Sequence, residues 1–347
     1  MLRASTSQPF MPEGVAVWLA SRASAATDTF DKAGKKMIHQ EELSAPGPMG
    51  ALKGTLTLPS QHGPLPNWTP VFLIVPGSGP TDRDGNSPLG ISAAPYRLLA
   101  EALAERGYPS VRIDKRGMFG SADAVSNPND ATIASYAEDL LAWTNAIRKL
   151  LPAEGGARCV IPIGHSEGGL VALAAMARMP DARALILIAS IGRPLNEVIR
   201  EQLRANPANA PFLREAETTL AALKRGERVD AGAMHAALRP LFAPDVQGFL
   251  IDAMSYDPVA LAAWVKVPVL VVQGTRDLQV NVADARNLAN AAPDATLALV
   301  PGVNHVLKFV ASDDPSANLA TYANPDLPIA SEVVDAVTTF VEGIATA

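Results

Sequence analysis

Two hydrophobic periods alternate along this chain. Val71–Val75 is an unbroken apolar run, the mark of a central strand covered on both faces. Pro95–Arg106 follows with Leu98, Leu99, Ala102 and Leu103 on one helical face, and Gly107 stands where a helix C-cap belongs. Ser110–Asp114 again reads as a strand, Tyr136–Leu151 as a helix, Val160–Ile163 as a strand, and Leu170–Ala177 as a helix. Ala184–Ala189 then gives another buried strand. Ahead of this series, Met37–Leu43 and Ala51–Leu58 read as two antiparallel strands with Pro46-Gly47-Pro48 as the turn. Strand and helix alternating in this way predict a mostly parallel sheet wrapped by helices on both faces.

From Ile191 to Trp264 no strand pattern occurs, only helical stretches broken at Pro207, Pro211, Pro240 and Pro244. An insertion of that size must lie outside the sheet, and ligand crevices lie at the carboxyl ends of parallel strands, so 191–264 is expected to form a helical cap. Its Leu241, Phe242, Phe249, Met254 and Trp264 could wall a pocket or pack the cap onto the core. The sheet pattern resumes at Pro268–Gln273, passes through a helix at Val282–Ala291, and adds Thr296–Val300; a last helix is expected from Ile329 to Ile344. The expected organisation is a leader at 1–34, a core at 35–190 and 265–347, and the cap between the two core parts.

Composition narrows the function. Of 347 residues 48% are hydrophobic and 18% charged, which supports a large core, and a net charge of −6 without a basic stripe argues against a nucleic-acid partner. No apolar run approaches the roughly 18 residues of a membrane span. Residues 1–26 carry Arg3 and small residues near Ala23, but Pro12 and Glu13 interrupt what would be a signal peptide's apolar stretch, so a loosely ordered leader is expected. Cys159 is the only cysteine, so an intrachain disulfide is impossible and a reducing, cytoplasmic setting is expected, with a secreted or periplasmic one as the alternative. The histidines are scattered and no dinucleotide fingerprint follows a strand, so neither metal nor cofactor is expected.

The chemistry centres on Gly164-His165-Ser166-Glu167-Gly168, which joins a buried strand to a helix. A G-x-S-x-G pattern in that context is a nucleophile elbow, whose tight turn tolerates only tiny neighbours such as Gly164 and Gly168. A serine nucleophile needs a base. Of the five histidines, His39 and His62 lie beside the first strands, His235 lies in the insertion, and His165 adjoins the elbow as a sheet-facing structural residue. His305 remains, in a Pro-Gly loop after Thr296–Val300, at the same sheet edge as Ser166. Its acidic partner is expected to be Asp277, just beyond Val269–Gln273, whereas Asp284 lies in the next helix and Asp252 and Asp257 at the end of the cap. Oxyanion donors are expected from the N–H of Glu167 and from the loop after Val71–Val75, at Ser78 or Gly79, with Ser78 favoured. Arg83 in Asp82-Arg83-Asp84 could hold a substrate carboxylate, although an ion pair tying down its loop is the plainer reading.

These motifs, together with Pro76-Gly77-Ser78-Gly79-Pro80, Asp114-Lys115-Arg116-Gly117 and Asn304-His305, resemble a capped serine esterase of the α/β-hydrolase superfamily, from about residue 50 onward. The loop is similar to that of a bacterial subgroup with a P-G-S-G-P-T-D-R-D-G pattern. The resemblance implies hydrolysis of carboxylic esters through an acyl-enzyme on a small-molecule substrate, with amide, peptide or thioester cleavage as the alternative. A non-catalytic ligand-binding protein on the same fold is the alternative from a different class.

Overall fold

The computed structural model describes residues 38–60, 65–153 and 158–345. The leader and His62 lie outside them. Eight strands form one sheet: β1 (His39–Pro46), β2 (Ala51–Leu58), β3 (Val71–Val75), β4 (Ser110–Ile113), β5 (Val160–His165), β6 (Leu185–Ile188), β7 (Val269–Gly274) and β8 (Ala295–Val300). Their spatial order is β1-β2-β4-β3-β5-β6-β7-β8. The β1–β2 and β2–β4 pairs are antiparallel and the other pairs are parallel. This is the α/β-hydrolase fold. The first strand continues to Pro46, beyond the expected Leu43, because Pro46 still pairs with Ala51. The turn therefore falls at 47–50; a proline without an N–H is tolerated on this edge strand.

The parallel strands are covered by α1 (Pro95–Glu105), α2 (Ile133–Leu150), α3 (Glu167–Met176), α8 (Val282–Ala291) and α10 (Ser331–Ala345). β3 shows how the covering works, because successive side chains point to opposite faces. Val71, Leu73 and Val75 join the core made with Ile133, Leu140 and Val171 of α2 and α3. Phe72 and Ile74 instead meet Leu99 and Leu103 of α1 and Val333 and Val337 of α10. A fully apolar strand is thus required by burial on both sides. α2 starts three residues before the expected Tyr136. Thr132 accepts from the Ser135 N–H and Ser135 reaches back to the Thr132 N–H, a reciprocal cap that satisfies two N-terminal donors.

Between β6 and β7 the chain forms α4 (Leu195–Ala205), α5 (Leu213–Lys224), α6 (Pro244–Ser255) and α7 (Pro258–Ala263), with no strand among the described residues of this segment. Phe242 and Met254 are buried in the same apolar cluster as α2 and α3, with Leu241 and Phe249 packed against it, whereas Trp264 is 75% exposed. The short α9 (Pro315–Ala320) has no counterpart in the sequence reading.

Candidate active site

Ser166 sits between β5 and α3 with φ 55° and ψ −123°, a conformation that costs a non-glycine residue roughly 1–3 kcal/mol and persists only where the surroundings over-determine it. Those surroundings are visible. The Ser166 N–H donates to the Ile188 carbonyl at 3.0 Å. A Cβ at Gly164 would fall 2.5 Å from the Gly168 carbonyl oxygen, and one at Gly168 only 2.3 Å from that of Val75. The two glycines let β5, α3 and the end of β3 close on one another, and the serine is pinned at their junction.

His305 arrives from the loop after β8. Its Nδ1 lies 2.8 Å from Oδ2 of Asp277, which follows β7. The other carboxylate oxygen, Oδ1, accepts the N–H groups of Gln279 at 2.8 Å and Val280 at 3.0 Å, and Gln273 Nε2 reaches Oδ2 at 3.2 Å. Burial alone would raise the pKa of Asp277, but His305 and the two backbone donors outweigh it and hold the carboxyl below its ordinary value. An ionised Asp277 therefore fixes His305 with Nδ1–H toward the carboxylate and leaves Nε2 for exchange of a proton. Ser166 and His305 line one solvent-open cleft. Ser78 lines it as well, and Asp277 stands behind His305. Glu167 occupies the first helical position after the serine, with its side chain buried.

His165 is buried in β5 and does more than face the sheet. Nε2 lies 2.9 Å from the His305 carbonyl oxygen and Nδ1 lies 2.9 Å from Tyr96 Oη, while Tyr96 Oη accepts the Gly77 N–H at 2.9 Å. For a neutral ring only one assignment satisfies all three contacts: His165 donates from Nε2, and Tyr96 donates to Nδ1. Burial, followed by the neighbouring His305, lowers the His165 pKa to about 3, so the ring stays neutral. A buried string thus runs from the loop after β3 to the backbone of His305. Tyr96 carried no sequence signal, because an aromatic on the buried face of α1 reads as core.

The remaining candidates fall into place as supports. Arg83 donates to Asp114 through its backbone N–H at 2.8 Å, Nε at 2.9 Å and Nη2 at 2.6 Å, and to Glu42 at 2.9 Å. It ties down its loop and does not line the cleft. Asp284 caps α8 with Asn281, yet it is fully buried against Arg193 and is not solvated. Asp252 accepts the Ile133 N–H, and Asp257 caps α7. Among the described residues no group of three or more His, Cys, Asp or Glu side chains could hold a metal ion, and no helix is long and apolar enough to cross a membrane.

The mostly parallel sheet, with a strained serine at a strand–helix turn and a histidine–aspartate pair at the same sheet edge, places the chain in the α/β-hydrolase class. Residues 89–309 match the serine aminopeptidase S33 family, and the chain belongs to that family. It is 28% identical over 240 residues to Esterase EstD of Thermotoga maritima, an alignment that covers 68% of this chain and 52% of that protein. The chain therefore spans about half the length of that relative. In fold it is similar to Est1E from Butyrivibrio proteoclasticus, with a TM-score of 0.53, 18% identity and coverage of 87% and 99% of the two chains. It is likewise similar to proline iminopeptidase of Mycobacterium smegmatis, with a TM-score of 0.56, 14% identity and coverage of 88% and 99%.

Proposed function

We propose that the protein is a serine hydrolase that cleaves small, neutral carboxylic esters through an acyl-enzyme. Ser166 is the nucleophile, His305 the general base and acid, and Asp277 the group that orients His305. The observation that carries this reading is the buried His305–Asp277 pair opening on the same cleft as the strained Ser166. Ser166 Oγ attacks the acyl carbon as its proton passes to Nε2 of His305, and Asp277 stabilises the imidazolium. The developing oxyanion is held by the N–H of Glu167 and that of Ser78. Ser78 is preferred over Gly79, the other candidate in that loop, because Ser78 lines the cleft and Gly79 does not. His305 then protonates the departing alkoxide. Water, deprotonated by the same nitrogen, attacks the acyl-enzyme and restores Ser166. The helical segment 191–264 is proposed as a cap; Gln202 of α4 donates to the carbonyl of Gln279, a residue that lines the cleft.

The family's name raises a second reading, an aminopeptidase. Such an enzyme must hold the ammonium group of its substrate, and a buried ammonium requires a carboxylate partner. Around Ser166 and His305 the described lining is Ser78, Thr81, Ile91, Gln279, Val306 and Tyr322 with Gly77, Gly85, Pro95, Tyr96 and His165, and it contains no Asp, Glu, Lys or Arg. That lining supports a neutral ester. The test compares p-nitrophenyl acyl esters from acetyl to octanoyl with aminoacyl p-nitroanilides. Turnover of the esters, abolished in Ser166→Ala, is expected; preference for the free-amine anilides would overturn the assignment in favour of the peptidase.

A further inference from the structure

Lys115 stands at the carboxyl end of β4 with its side chain buried, and it does not line the cleft. Its ammonium has three neighbours: the Gly77 carbonyl oxygen at 2.6 Å, Oε1 of Glu167 at 3.3 Å, and the face of the Tyr136 ring at 5.4 Å. The shortest contact is to a carbonyl rather than to the carboxylate, so charge neutralisation alone does not describe it. That carbonyl belongs to the peptide unit whose other end is the Ser78 N–H. A peptide unit is planar and trans, so its C=O and N–H point in opposite directions. Lys115 grips the unit from the protein interior, and Ser78 is exposed on the cleft side.

The preceding peptide unit is fixed as well, since the Gly77 N–H donates to Tyr96 Oη at 2.9 Å. Gly77 is the residue whose backbone could most easily rotate, and both of its peptide planes are held by buried side chains. An ammonium on the carbonyl oxygen also polarises the amide and strengthens its N–H as a donor. The same ammonium pairs with the side chain of Glu167, whose backbone N–H is the other proposed donor.

We infer that Lys115 is a positioning residue for the oxyanion hole: it holds the Gly77 carbonyl from inside the protein and thereby aims the Ser78 N–H into the cleft. This rests on the Ser166 hydrolase reading above. Loss of an oxyanion donor typically costs about 10²–10³ in turnover. A donor that is loosened but still present should cost about 10- to 100-fold.

The experiment compares wild type, Lys115→Met, Glu167→Gln and the double variant Lys115→Met/Glu167→Gln with p-nitrophenyl butyrate and an alkyl trifluoromethyl ketone, which forms a tetrahedral adduct on serine. The inference predicts that Lys115→Met lowers kcat about 10- to 100-fold, leaves KM within about threefold, and weakens ketone binding by the same factor as kcat. Because Met and Gln remove both buried charges, the double variant carries the test even if Glu167 without its partner prevents Lys115→Met from folding. It is expected to turn over about 10- to 100-fold more slowly than Glu167→Gln. A double variant as fast as Glu167→Gln would overturn the inference and reduce Lys115 to a counter-ion, as would unchanged ketone affinity in Lys115→Met. A wild-type protein that neither turns over the ester nor forms the ketone adduct would instead overturn the underlying hydrolase reading.

Discussion

Gly168→Ala puts the packing of the elbow to a direct test. A Cβ there would lie 2.3 Å from the Val75 carbonyl oxygen and 2.6 Å from that of Pro76. Carbon and oxygen approach no closer than about 3.3 Å even in favourable C–H···O contacts, so the end of β3 must retreat from α3 by about 1 Å. That end leads, three residues on, to Ser78, so the retreat opens the gap between the two proposed oxyanion donors. Overpacking of this kind costs typically 1–3 kcal/mol in stability, and an ångström of misplacement at a reacting centre can cost about 10² in rate. The expected result is therefore kcat for p-nitrophenyl butyrate down about 100-fold, with a lower denaturant midpoint. Gly343→Ala is the matched control, because a Cβ there meets nothing within 4 Å. It replaces a glycine inside α10, where alanine is the better helix former. The control should retain wild-type turnover and unfold at an equal or higher denaturant concentration. A Gly168→Ala protein with wild-type kcat and midpoint would refute the argument that the elbow is held by that close approach.

Three further outcomes follow from the site. Asp277→Asn should lower kcat by on the order of 10³–10⁴ with little loss of ester binding, because an amide can no longer fix the His305 tautomer; steady-state kinetics on the purified variant check this. His165 has a pKa of about 3 when folded, below its unfolded value near 6.5, so the unfolded chain takes up the proton first as the pH falls. Its contribution is fully present above pH 6.5 and is lost at about 1.4 kcal/mol per pH unit below it. Between pH 6.5 and 5 wild type should thus lose roughly 2 kcal/mol of urea-unfolding free energy more than His165→Asn. Arg83→Met leaves the buried Asp114 carboxylate without its cation and should destabilise by about 3 kcal/mol. The selectivity of that variant between neutral and anionic esters should stay as in wild type, whereas a selective loss of anionic esters would return Arg83 to substrate binding.

What could be read from the sequence divides along a physical line. Apolar runs and local turn chemistry are local signals, and β2, β3 and α8 occupy the expected residues. The turn glycines of the elbow announce its strain directly, and the structure brings Ser166, Asp277 and His305 together at one sheet edge. Contacts between distant segments left no such trace. Tyr96 and Gly77 are separated by 19 residues, Lys115 and Gly77 by 38, and Lys115 and Glu167 by 52. A buried lysine after a strand and a tyrosine on a helix's apolar face look ordinary until the fold stacks them behind the loop after β3. His165 shows the same limit: its place on the sheet could be read, its bond to the His305 backbone could not. Of the five large apolar residues noted in 191–264, Trp264 is exposed and the other four join the main core, because that segment shares one apolar cluster with α2 and α3.

The central claim is that Ser166 is an activated nucleophile, and labelling with a fluorophosphonate tests it most directly. Intact-mass and peptide spectrometry after brief exposure should show one adduct per chain, on Ser166, with rates reduced in Asp277→Asn and no adduct in Ser166→Ala. A wild-type protein that stays unlabelled, or a Ser166→Ala protein that labels equally, would contradict it.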